Sequence, residues 1–151
     1  MSRIGKTVVF ITSILMGLVL VRFAISKLAG WEISVNAFIE MAQPLGIDPT
    51  FFRVSTGFLI SAVLLAYFSN AIYTLFQHKV FFIRKLNYYR FSLFANSFGL
   101  LTMVGALLAE FFLRVQPKWP LVYIAVGIIV FSMINILIII RKENQQVLPT
   151  H

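Results

Sequence analysis

Cysteine is absent from this chain and acids are scarce: 5 Asp and Glu stand against 13 Lys and Arg, and charged residues make up only 12% of the sequence. The missing thiols exclude disulfides, thiolate catalysis, iron–sulfur ligation and cysteine-based zinc sites together. His78 and His151 are the only histidines, one in a basic connection and one at the last residue, so they cannot form a bis-histidine haem site inside a bundle. A metal site would need His, Cys or clustered carboxylates. None is evident, and neither is a glycine-rich phosphate loop or a Ser-His-Asp set. Catalysis by the chain alone is not expected.

What the sequence does hold is apolar. It is 60% hydrophobic with 16 Phe, and its mean hydropathy is +0.90. Globular chains carry roughly 25% charged residues, so this one has too little polar surface to cover itself in water. Lipid must be its solvent. The net charge of +8 does not indicate nucleic acid, because the basic residues flank apolar runs and do not form a soluble basic face. Anionic lipid headgroups are their partners, worth about 1 kcal/mol per cation near the surface.

A spanning helix needs about 20 mostly apolar residues. Four stretches qualify, over residues 7–25, 54–76, 91–113 and 119–140. The fold class is therefore all-α, a four-helix transmembrane bundle in a single membrane domain, with residues 143–151 as a polar cytoplasmic tail. Arg3 and Lys6 precede the first run as they would in a signal peptide, but no small-x-small cleavage site follows, and a retained helix is expected. One side of the membrane holds Arg3, Lys6, Lys79, Arg84, Lys85, Arg90, Arg141 and Lys142; the other holds Arg22, Lys27, Arg53, Arg114 and Lys118. The positive-inside rule then puts both termini in the cytoplasm.

The long connection, residues 26–53, is expected to lie outside the cytoplasm. Trp31, Val35, Phe38, Ile39 and Ala42 recur there at helical spacing, with Glu32, Asn36, Glu40 and Gln43 opposite. This predicts an amphipathic helix between the first two spans, parallel to the membrane or capping the bundle. Pro44 and Gly46 end it. Asp48 is a good N-cap and Pro49 suits a first helical position, so the second span should begin near Pro49. "QHKVFFIRKLNYYRF" reads as an interfacial segment with aromatic anchors.

Two groups of polar residues stand out. Ser92, Asn96, Gly99, Thr102, Ala106 and Glu110 fall on one stripe of the third span, because 18 residues make five turns. Small residues let membrane helices approach closely, so Glu110 should point into the bundle at its outer end. Arg22 and Lys27 end the first span at the same side. Arg22 is expected to snorkel and to pair with Glu110. Such a pair is either a device that sets helix register or part of a polar head-group site. The second group, Thr12, Ser13, Asn70, Asn96, Ser132 and Asn135, should hydrogen-bond between helices, at about 0.6–2 kcal/mol each.

"VRFAISKLAGW" resembles the first-span end of DoxX-like membrane proteins, where an Arg-Phe pair precedes a Lys and a Gly. "FIEMAQPLGIDP" is similar to that family's outer segment and "LLTMVGALLAEFF" to its third helix, and the likeness covers most of residues 10–140. It departs in the second span, where "GFLISAVLLAYF" has no acid. The resemblance implies a four-helix bundle in the bacterial inner membrane, serving a redox, quinone-linked complex. Arg22, Lys27 and Glu110 would then lie near a quinone or another small polar head group, with no covalently bound cofactor. A different class of function is a non-catalytic accessory subunit that docks onto a larger membrane complex.

Overall fold

The computed structural model describes residues 3–76 and 82–147, with side chains over 4–76 and 88–141. Its elements are α1 (Arg3–Leu28), α2 (Glu32–Ala42), a single 3-10 turn (Gln43–Leu45), α3 (Pro49–Phe76), α4 (Phe82–Phe112) and α5 (Trp119–Val147). No strand occurs among the described residues. Four helices are long and apolar enough to cross a membrane: Ile4–Leu28, Pro49–Phe76, Tyr88–Phe112 and Trp119–Arg141. Each runs past its apolar stretch at one end or both, because the helical hydrogen bonds continue into the interfacial residues, while the third stops at Phe112, one residue short of its expected end. At the far end α5 carries on through Val147, into the stretch read as a tail. Residues 77–81, part of the inner connection, and both histidines lie outside the described residues.

The local signals explain the helix ends. The Asp48 carboxylate accepts the Phe51 N–H at 2.6 Å, and Pro49 opens α3 where a missing N–H costs nothing. Gly46 closes the 3-10 turn in the left-handed region at φ +64°. Gly30, at φ +69°, ends α1, and the Trp31 N–H returns to the Ser26 carbonyl at 3.0 Å. That is the Schellman arrangement, which suits glycine because no Cβ opposes the backbone. The Arg53 guanidinium donates to the Lys27 carbonyl, another of the free acceptors at this helix end.

α1 packs along α3 and α4 along α5, while α3 meets α4 and α1 touches α5 to close the bundle. Gly17 and Gly57 let the first pair approach closely: a Cβ at either would press on Phe68 or Leu28. The main core is Met16, Leu20, Ala24, Ile60, Val63, Tyr67, Met103, Ala125 and Ile128. Large apolar side chains such as Phe58, Leu65, Phe94, Leu101 and Leu137 cover the outside of the bundle. In water so large an apolar surface would be a liability; in lipid it is a solvated face.

Two faces differ from their sequence reading. The buried line of α4 runs through Ser92, Asn96, Gly99, Met103 and Glu110, with Leu107 packed against the core and Ala106 exposed. The packed face drifts around α4 as it passes its neighbours, so a stripe of constant pitch misses Met103 and includes Ala106. In α2 the buried residues are Ser34, Phe38, Met41 and Ala42, whereas Trp31 and Ile39 are exposed. α2 lies against α3, with Phe38 edge-on to Phe52 at 5.0 Å between ring centroids. That contact sets its rotation about its own axis.

Candidate functional site

The ends of the bundle differ in chemistry. At the end where α1 finishes, five charged residues gather: Lys27 of α1, Glu40 of α2, Arg53 of α3, Glu110 in the last turn of α4, and Arg114 in the turn just beyond it. Glu110 is 5% exposed and Arg114 8%. One carboxylate oxygen of Glu110 accepts the Arg114 guanidinium at 2.6 Å and the Lys118 backbone N–H at 2.7 Å. A carboxylate held there also faces the N-terminal end of α5, where helix N–H groups favour negative charge. Glu40 accepts the Val115 N–H at 2.8 Å, and its other oxygen lies 3.5 Å from Arg114 Nε, an ion pair without hydrogen-bond geometry. Two acids thus hold the turn between α4 and α5, and one of them comes from α2.

The expected Arg22–Glu110 pair is not what forms. Arg22 is exposed on the outer face of α1 and makes no ion pair among the described residues. The reason is geometric: Arg22 sits on the stripe of Ile4, Ile11, Leu15, Leu18 and Ile25, all exposed, whereas Glu110 points inward from α4. Similar depth along two helices does not bring side chains together when their faces diverge. The i, i+4 spacing of Glu110 and Arg114 was visible in the sequence, with the acid on the favourable N-terminal side. Glu40 carried no comparable signal, because its partners are more than 70 residues away.

Lys27 does enter the interior. Its ammonium lies 5.6 Å from the ring centroids of both Phe23 and Phe38, within cation–π range. Glu110 and Arg114 are near enough to act on its charge. No oxygen acceptor among the described residues hydrogen-bonds or ion-pairs with it. A half-buried ammonium with its three donors unused is the group at this end best placed to meet a ligand oxygen. Among the described residues no three His, Cys, Asp or Glu side chains gather as a metal site would require.

The polar layer expected deeper in the bundle is present, and it connects the helices as a network. Thr12 donates to Asn135 Oδ1 at 2.9 Å, and Asn135 Nδ2 donates to Asn96 Oδ1 at 2.9 Å, joining α1, α5 and α4. Asn70 Nδ2 donates to Ser13 at 3.0 Å across α3 and α1. The Tyr67 hydroxyl meets Ser132 at 2.8 Å and that of Tyr88 meets Thr74 at 3.0 Å. Sequence reading missed the two tyrosines, whose phenol rings read as apolar. These bonds hold neutral groups in place; with no acid or base among them, adhesion between helices is what the layer can do.

Comparison with protein-family models, with curated proteins and with solved structures finds no match for this chain.

Proposed function

We propose that this four-helix chain is a DoxX-like subunit of the bacterial inner membrane, with both termini cytoplasmic, serving a redox complex linked to quinone. The observation that carries the reading is Lys27: an ammonium held between Phe23 and Phe38 with no acceptor among the described residues. A quinone offers what this group lacks, a carbonyl oxygen to accept its hydrogen bond and a ring to stack beside the phenylalanines. Arg22 and Glu110 take supporting roles, Glu110 by balancing charge beside Lys27 and Arg22 from the surface. The bias of basic residues, eight on the side of the termini against five, supports the orientation. The test is equilibrium binding of a short-chain benzoquinone to the protein in nanodiscs. Binding that weakens at least tenfold in Lys27→Met supports the reading, and equal binding by both retires it.

A second reading is favoured by a different residue. Arg22 lies exposed in an apolar stripe, two turns short of the end of α1. Side chains of a helix set off toward its N-terminus, so Arg22 must fold back on itself to reach the near interface. A carboxylate on a neighbouring subunit's helix would satisfy it in place. The chain would then be an accessory subunit, not catalytic, that docks through this face of α1. Co-purification with a partner from native membranes, kept in Arg22→Lys and lost in Arg22→Leu, is the expected outcome; retention in Arg22→Leu removes the reading.

A further inference from the structure

The ammonium of Lys27 is half-buried, and two rings from different helices lie against it. Phe23 comes from α1 itself and Phe38 from α2, each with its centroid 5.6 Å away. A ligand ring that stacks beside that ammonium must move one of them aside. Phe23 belongs to a helix of 26 residues packed along α3. Phe38 belongs to a helix of 11, whose buried residues are Ser34, Phe38, Met41 and Ala42. The shorter helix is the one that can give.

A helix of that length is marginal in water, where about 12–15 residues are needed, and the Trp31 side chain does not cap it. Its order comes from what it touches: Phe52 of α3, Lys27 of α1 and the turn beyond α4. Gly30 and Gly46, the two residues with positive φ among those described, bracket it. The chain can swivel at both, because no Cβ obstructs a glycine. Segments with few buried contacts are where proteins open locally.

The contact with the turn is the fastening. Glu40 accepts the Val115 N–H at 2.8 Å and lies 3.5 Å from Arg114 Nε, with its side chain 34% exposed. Releasing it strands nothing. The carboxylate passes into water, as does the N–H of exposed Val115. Arg114 keeps Glu110 at 2.6 Å, and its Nε has no acceptor even with Glu40 in place.

We propose that α2 is a lid over Lys27, hinged at Gly30 and Gly46 and fastened by Glu40 to the turn between α4 and α5. When Glu40 lets go, Phe38 leaves the ammonium and a ligand enters; when it returns, Phe38 closes over the ligand. The lid rests on the quinone reading for its purpose, since it controls access to that same site.

The test reads Lys27 directly, with no quinone present. The full chain in nanodiscs is treated with a water-soluble acetylating ester, and mass spectrometry compares Lys27 with Lys118, an exposed lysine at the same end. Lys27 should react more slowly than Lys118 in the wild type. In Glu40→Ala it should react about tenfold faster than in the wild type, the worth of one hydrogen bond to a charged group. Hydrogen exchange over residues 34–42 should quicken with it, while α1 and α3 stay as they were. Glu40→Gln, which keeps an acceptor for Val115, should fall between. The chain has no cysteine, so Glu40→Cys and Val115→Cys can be joined by a short thiol cross-linker; the tether should slow Lys27 below the wild-type rate. Equal reaction of Lys27 in wild type and Glu40→Ala would overturn the lid, as would a rise without faster exchange in α2. The two readings fail separately. Protection of Lys27 that depends on Glu40, with no quinone bound, keeps the lid and removes the quinone. Quinone that binds the tethered protein at the wild-type rate does the reverse.

Discussion

The phenol of Tyr67 lies across Gly99, in the space where any other residue would carry its Cβ. From that position the hydroxyl reaches Ser132 of α5 at 2.8 Å, and Ser132 in turn lies 3.6 Å from the sulfur of Met16 in α1. One side chain of α3 thereby links the other three spans, and it does so because α4 has no side chain at the crossing. In lipid, where apolar burial gives helices no reason to associate, close backbone approach and hydrogen bonds of this kind hold a bundle together.

Gly99→Ala should therefore force the Tyr67 ring aside and break its bond to Ser132. Overpacking of a filled core costs about 1–3 kcal/mol, and the melting temperature in detergent should fall accordingly. Gly105→Ala, where a Cβ meets nothing within 4 Å, should be neutral or slightly stabilising, since Ala is the better helix former. Equal effects at the two glycines would show that the crossing is not tight.

Glu110 and Arg114 should couple, and Glu110 and Arg22 should not. Removing one partner of a buried pair costs about 3–5 kcal/mol. Arg114→Ala should give the larger loss, because it leaves both Glu110 and Glu40 without their cation. Glu110→Ala still leaves Arg114 beside Glu40. Chemical unfolding in detergent should show the Glu110/Arg114 double variant less than additive, and the Glu110/Arg22 double variant additive within about 0.5 kcal/mol. The reverse pattern would restore Arg22 as the partner.

Asn135 accepts from Thr12 and donates to Asn96, so one substitution severs two bonds between helices. Asn135→Leu should lower stability by about 1–4 kcal/mol, twice the range for a single such bond. Thr12→Val, which loses one bond and keeps the shape, should cost about half as much. Matching losses would mean the Asn96 link contributes nothing measurable.

Asp48→Ala should remove the cap of α3 and cost about 0.5–2 kcal/mol, while Asp48→Asn, which keeps an acceptor at the same place, should cost little. Hydrogen exchange at the Phe51 amide is the direct readout: it should quicken in the alanine variant alone.

The sequence by itself determined the four apolar spans, the cap at Asp48, the turn at Gly46 and the amides and small hydroxyls of the polar layer, though not Thr74 or the two tyrosines, because each is written in neighbouring residues. Hydropathy over about 20 residues decides what can cross a bilayer, and a cap or a left-handed glycine acts within one turn of chain. The tertiary structure alone decided which side chains meet. Glu110 was legible as an inward acid, but its choice of Arg114 over Arg22 depends on how α1 and α4 are rotated about their axes. That rotation follows from close approaches such as Gly17 to Phe68 and Tyr67 to Gly99, between helices some 30 to 50 residues apart. The same holds for α2, whose packed face is Ser34, Phe38, Met41 and Ala42 because Phe38 seats on Phe52. It holds equally for Lys27, which is brought between Phe23, one turn away, and Phe38, a residue of another helix. Periodicity says which residues share a face; only packing says what that face touches.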